Sequence, residues 1–224
     1  MDLVIFDCDG VLVDSEILSN ALLAEMMTEL GHPMTTKEAL EKFAGRSLTD
    51  VLALAEGVLG RKVPEDLGQA YGRRLLERLR RELKPVAGAK AAVAAVPCRR
   101  CVASSSSFER IQLSLDVTGL APLFDGHIFS ATQVAHGKPA PDLHLLAART
   151  MGAAPGRCVV VEDSPLGVTA AVAAGMTAVG FTGAGHATSA LAQQLAAAGA
   201  RCVLASMSEL PGTIAGLDGS MTGS

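Results

Sequence analysis

From residue 88 to residue 204 the chain alternates helical and strand patterns without interruption. Apolar runs at 100–104, 127–130, 157–161, 177–181 and 201–204 read as short strands; Val159-Val160-Val161 is the centre of one that has no polar face. Helical spacing between them predicts helices over 88–95, 107–117, 141–151, 165–174 and 187–199. A further apolar strand, residues 3–6, stands near the N-terminus. Strands alternating with helices predict one parallel sheet with helices on both faces, a doubly wound α/β fold.

Residues 15–84 break that grammar. Ile17, Leu18, Ala21, Leu22, Met26 and Leu30 recur at three- and four-residue steps, and Gly31 ends the run. Thr35-x-x-Glu38 is a capping box opening a short helix through about Phe43. Further helices are expected over 48–59 and 64–83. Four consecutive helices after the first strand read as an inserted α-helical bundle, a cap over the sheet edge. The expected division is a Rossmann-like core of residues 1–14 and 85–212, a cap of 15–84, and a frayed tail of 213–224.

Composition narrows the partners. Apolar residues make up 49% of the 224, with six Phe, one Tyr and no Trp, so the core is expected to be aliphatic. A net charge of −4 argues against a general nucleic-acid binder. No apolar run reaches the roughly 18 residues of a membrane span. The first residues lack a basic region and cleavage site, so no signal peptide is expected. The five cysteines, Cys8, Cys98, Cys101, Cys158 and Cys202, are scattered, which fits free thiols in a reducing cytoplasm. Cys98-Arg-Arg-Cys101 has metal-site spacing but no second pair, and is read as a loop Cys followed by a strand Cys. The basic cluster Arg73, Arg74, Arg78, Arg80, Arg81 and Lys84 is read as a solvated helix face.

Four strand ends carry polar groups, where α/β proteins bind ligands. The first strand runs into Asp7-Cys8-Asp9-Gly10: two carboxylates suit a nucleophile or metal ligand beside a proton carrier. Cys8 between them is read as a spacer facing the core. Ser104, followed by Ser105, Ser106 and Ser107, places a hydroxyl before a helix N-terminus, an anion cradle. Lys138 is kept out of helix by Pro139 and stands ready to neutralise phosphate or carboxylate charge. Val161 leads into Glu162-Asp163, hard oxygen ligands suited to Mg²⁺. Each alone is an ordinary turn or cap. Together, Asp7, Asp9, Glu162 and Asp163 with one Lys carry a formal −3, which a divalent cation would offset, leaving a phosphate-seeking site.

In that order these motifs resemble the haloacid dehalogenase superfamily, over essentially all of residues 1–212. The segments from His136 to Asp142 and from Val161 to Val168 are similar to the branch containing β-phosphoglucomutase and small sugar-phosphate phosphatases. The resemblance implies Asp7 as the nucleophile that forms an aspartyl-phosphate, and Asp9 as general acid, then base. It implies that Asp7, the Asp9 carbonyl and Asp163 hold Mg²⁺, with Glu162 as a further or outer ligand. Ser104 and Lys138 would grip the phosphoryl group, Gly10 and Ser105 would supply backbone N–H groups, and Arg46 would meet the distal part of a polar substrate.

The expected activity is therefore a Mg²⁺-dependent phosphomonoesterase acting on a small sugar phosphate or sugar-acid phosphate, such as 6-phosphogluconate or a hexose phosphate. The expected partner is a small phosphorylated metabolite, with no nucleic acid or membrane, the protein being a monomer or weak homodimer. A mutase is the alternative; by the same resemblance Ser19 occupies the position of its hinge His, and the loop Ala44-Gly45-Arg46-Ser47-Leu48 carries its Arg two places early. A dehalogenase has no need of Asp9 or the Glu162-Asp163 pair. A non-enzymatic phospho-receiver has no use for a helical insertion of some 70 residues, or for an acid–base Asp9.

Overall fold

The computed structural model describes residues 1–44 and 46–221. Six parallel strands, β1 (Leu3–Phe6), β2 (Arg99–Ser104), β3 (Ile128–Ser130), β4 (Cys158–Glu162), β5 (Thr177–Phe181) and β6 (Cys202–Leu204), form one sheet in the order β3-β2-β1-β4-β5-β6. β1 is central, and all four of its side chains are buried. The order reverses at β1, so the crevice at its carboxyl end is the topological switch point.

Alternation along the strands divides the core in two. Val4, Phe6, Val102, Val159, Val161, Val179 and Phe181 face one side. There they pack on α5 (Ala89–Ala94), α6 (Phe108–Val117) and α10 (Leu210–Met221). Leu3, Ile5, Cys101, Ala103, Cys158, Val160 and Ala178 face the other, against α7 (Asp142–Thr150), α8 (Pro165–Ala173) and α9 (Leu191–Ala197). The aliphatic, doubly covered sheet is the one expected from the sequence.

Four helices intervene between β1 and β2: α1 (Glu16–Glu29), α2 (Thr36–Phe43), α3 (Leu48–Leu59) and α4 (Leu67–Glu82). They have a small core of their own around Leu23, Ala24, Ala39, Phe43 and Val51. The capping box forms: Glu38 N–H donates to Thr35 Oγ1 at 3.2 Å, and Thr35 N–H donates to Glu38 Oε2 at 2.7 Å. Two of the basic residues of α4 are tied to α1 rather than simply solvated: Arg74 makes two 2.8 Å bonds to Glu29, and Arg78 pairs with Glu25 at 2.9 Å. The chain leaves and re-enters the sheet region through a two-strand ribbon. Asp14 N–H donates to the Lys84 carbonyl at 3.0 Å, and Val86 N–H to the Leu12 carbonyl at 3.0 Å.

Two expectations are corrected. α4 begins at Leu67, because residues 64–66 form a turn in which Leu67 N–H donates to the Pro64 carbonyl. The segment expected to fray from 213 is helical through Met221: Leu210 and Ile214 are buried in the sheet's first core, and Asp218 pairs with the Met1 amine and Arg157. Among the described residues no helix is long and apolar enough to cross a membrane.

Candidate active site

The parallel register aligns the strand ends. Phe6 lies beside Val102 and Val161, and the ladder continues as Asp7 N–H donates to the Val161 carbonyl at 3.0 Å. Asp7, Ser104 and Glu162 are thereby brought to one edge, with Asp163 one residue beyond. Past Asp7 the backbone folds tightly, the Cys8 carbonyl accepting from both Leu12 and Val13 N–H. Cys8 is fully buried, a spacer as expected. Gly10 sits at φ +79°, where a Cβ would lie 2.6 Å from Asp163 Cγ and 2.8 Å from His186 Cε1. Glycine is required there by backbone and space together. Its N–H is committed to the Val13 carbonyl at 2.9 Å, so it is not the phosphate donor the sequence suggested.

Lys138 reaches the centre from the loop before α7. Its Nζ donates to Asp7 Oδ1 at 2.8 Å, to the Ala103 carbonyl at 3.2 Å, and to Glu162 Oε1. Burial opposes the ammonium, but Asp7 and Glu162 outweigh it and raise its pKa. Glu162 is fully buried, and Ser164 donates to its Oε2 through N–H (3.1 Å) and Oγ (3.0 Å). Burial pushes the Glu162 carboxyl up, yet Lys138 holds it below its ordinary value. Asp7 goes the other way: burial raises it well above the carboxylate range, with Glu162 and Asp163 adding repulsion against the pull of Lys138.

Asp7, Glu162 and Asp163 can bring ligand oxygens within 4.8 Å of one another. Three buried carboxylates around one lysine leave two formal negative charges, a donor set that fits a hard divalent cation. The Asp9 carboxylate is not part of this group. Ser15 Oγ donates to its Oδ1, Arg110 Nη2 donates to the same oxygen at 2.7 Å, and Ser106 Oγ donates to Oδ2 at 2.6 Å. Burial favours protonation of Asp9, but Arg110 and the two hydroxyls outweigh it and lower its pKa. The expected convergence of four side-chain carboxylates is thus three plus one, the fourth neutralised by an arginine.

Arg110 and His186 escaped the sequence reading. Arg110 stands three residues after Ser107, the N-cap of α6, so the first helical turn aims it back at the sheet edge. His186 lies in the loop after β5 and bonds Asp163 Oδ2 at 3.0 Å. Burial disfavours the imidazolium, but Asp163 more than compensates and raises the His186 pKa. Asp163 itself is raised, chiefly by burial. A motif search over strand ends reaches neither residue; the Ser107 cap spacing was the available signal for Arg110.

A cleft of about 1210 Å³ opens between this edge and the inserted helices. Asp7, Asp9, Ser104, Ser105, Lys138 and Asp163 line its floor, and Arg46 stands on its helical side. Ser104 is buried, its Oγ accepting from Ser106 N–H at 3.2 Å. Cys98 and Cys101 lie away from the cleft as free thiols; Gly45 lies outside the described residues.

Residues 1–175 match the family model of the haloacid dehalogenase-like hydrolases. The chain belongs to that family. It is 30% identical over 190 residues to the 6-phosphogluconate phosphatase of Escherichia coli (strain K12), covering 83% of this chain and 85% of that one. It is 31% identical to the phosphorylated carbohydrates phosphatase of Thermotoga maritima, over 79% and 82% of the two chains. A haloacid dehalogenase-like protein of unknown function from Agrobacterium tumefaciens superposes with a TM-score of 0.87 at 40% identity, over 97% and 99% of the chains. A family hydrolase from Deinococcus radiodurans, solved with bound phosphate and sodium, gives 0.79 at 33%, over 97% and 96%.

Proposed function

We propose that the protein is a Mg²⁺-dependent phosphomonoesterase of small sugar or sugar-acid phosphates, with residues 15–84 acting as a cap over the catalytic core. The observation that carries this reading is the state of Asp7. Lys138 holds its Oδ1, while among the described residues no side chain or N–H bonds Oδ2, on a carboxylate that lines the cleft beside Ser104. In-line attack by Oδ2 on phosphorus forms an aspartyl-phosphate as the ester P–O bond breaks. Asp9 is ionised while Arg110 holds it; freed from that tie it takes up a proton from solvent, delivers it to the departing alcohol, and takes one back from the water that splits the acyl-phosphate. Ser104 and Lys138 hold the non-bridging oxygens. Asp7, Asp163 and the Asp9 carbonyl would hold the cation, with Glu162 fixing Lys138 behind them; the cation contributes charge neutralisation at the phosphoryl oxygens.

Relatives acting on 6-phosphogluconate and on phosphorylated carbohydrates support the substrate class. Ser19 speaks against the mutase alternative: it is buried, its hydroxyl is spent on the Glu16 carbonyl at 3.1 Å, and it brings no titratable group to the hinge. The test is phosphate release from 6-phosphogluconate and a panel of hexose phosphates with Mg²⁺. Asp7→Asn is expected to abolish turnover while the far-UV spectrum and melting cooperativity persist. Metal-dependent turnover retained in that variant refutes the mechanism.

A further inference from the structure

Arg110 is more than the counter-charge of Asp9. Its side chain is 19% exposed and lines the cleft, yet only Nη2 of the guanidinium finds an acceptor among the described residues. Nε is buried without any partner. A guanidinium fork is built to meet two oxygens side by side, and a buried donor left unmet is costly. The Asp9 carboxylate fills one prong only, because its Oδ2 is turned to Ser106. Asp9 is also held from three sides, by Arg110, Ser15 and Ser106, and so is withdrawn from the metal-capable group.

We infer that Arg110 is the receptor for a carboxylate carried by the leaving alcohol of the substrate, and that Asp9 takes part of that seat in this structure. This rests on the phosphatase reading above. A substrate carboxylate offers two coplanar oxygens and satisfies the Nε donor that Asp9 leaves unmet. Taking the fork releases Asp9 from its strongest tie. Recognition of the acid group and delivery of Asp9 to the leaving oxygen are then one event. A neutral sugar phosphate offers Arg110 only uncharged hydroxyl oxygens, a weaker exchange for Asp9. Glu16, on the same wall of the cleft, hydrogen-bonds Asn20 through its Oε2 and makes no ion pair with Arg110. The fork is therefore not already claimed by a second acid.

The test compares three phosphorylated acids with the alcohols that lack only the carboxylate: phosphoglycolate with ethylene glycol phosphate, 3-phosphoglycerate with glycerol 3-phosphate, and 6-phosphogluconate with glucitol 6-phosphate. The three lengths span the reach from the phosphoryl site. The wild type is expected to favour the acid in at least one pair. Arg110→Gln is expected to lower that kcat/KM ratio by about ten- to a hundred-fold, the range for a lost charge-assisted bond. Arg110→Lys, which keeps the charge but loses the fork, should recover only part of it. Ratios unchanged in all three pairs overturn the inference, even if both substrates of each pair slow together. Calorimetry with glycolate, glycerate and gluconate tests the seat without turnover: binding to the wild type that is lost in Arg110→Gln supports it, and binding equal in the two, or absent in the wild type, overturns it. Failure of every ester to release phosphate counts against the phosphatase reading, while the calorimetry still decides the seat.

Discussion

Replacing Gly167 with Ala sets two effects of known sign against each other. Gly167 is in the first turn of α8, with no unusual backbone angle, and Ala is favoured over Gly in a helix by about 1 kcal/mol. By propensity alone the variant should be more stable. Yet a Cβ at this position would fall inside the Glu162 carboxylate, overlapping Oε1, Cδ and Oε2. That carboxylate is fully buried and accepts from Lys138 and from Ser164 N–H and Oγ. Moving it aside leaves Lys138 half-paired, and breaking a buried pair typically costs about 3–5 kcal/mol. Displacement wins, for a net loss of about 3 kcal/mol and, for a chain this long, a melting temperature lower by roughly 10 °C. Lys138 also shifts against Asp7, so phosphate release should fall. Urea denaturation of Gly167→Ala in the wild type and in a Glu162→Ala background isolates the cause. With the carboxylate gone the new methyl group has room, and the substitution should become neutral or stabilising by up to about 1 kcal/mol. An equal cost in both backgrounds would refute the reasoning, because the penalty would then not come from Glu162.

Two further outcomes follow from the charges. Mg²⁺ should raise the melting temperature of the wild type, by the equivalent of about 2.7 kcal/mol at one hundred times its dissociation constant, and Asp163→Asn should blunt the rise; a chelator that changes neither melting nor turnover sinks the metal assignment. His144 is buried, with no hydrogen-bond partner at either ring nitrogen among the described residues; burial, reinforced by the charge of Lys138, outweighs the Glu162 charge and the Ala170 backbone and lowers its pKa to about 4 from 6.5. Between those values the unfolded chain binds a proton the folded one does not, so this residue's share of stability, about 3 kcal/mol, is present above pH 6.5 and drains away as pH falls toward 4. Urea denaturation at pH 7 and pH 4.5 should show a smaller loss for His144→Leu; equal losses would place the titration elsewhere.

The parts of the fold visible in the sequence are those where one physical signal dominates. Val159-Val160-Val161 could only be a doubly covered strand, and Thr35-x-x-Glu38 could only satisfy its own N–H groups by opening a helix. The last helix was hidden because Gly212, Gly216 and Gly219 argue against it locally. It is held by distant partners, Leu210 and Ile214 in the core and Asp218 on the Met1 amine. The site divides the same way. Asp7, Ser104, Glu162 and Asp163 stand at or just past strand ends, and topology alone gathers them; Lys138, flagged by its Pro neighbour, reaches in from the loop before α7. Arg110 and His186 arrive from inside a helix and from a loop, and only side-chain reach brings them in. Asp9 showed its presence in the sequence but not its direction, which depends on Arg110.

The ribbon of Asp14–Lys84 and Leu12–Val86 hydrogen bonds has a consequence for how such chains diversify. Entry and exit of the helical insertion lie side by side, so its end-to-end span, as met by β1 and β2, is that of a tight hairpin. Closing such a loop costs only slightly more as it lengthens. Helical inserts of very different size can therefore be grafted at this junction, or trimmed from it, without moving the sheet edge that holds Asp7. Contacts that the insertion makes to a substrate are thereby free to change on a separate clock from the Asp7 chemistry and from the Arg110 seat, both of which stay with the core.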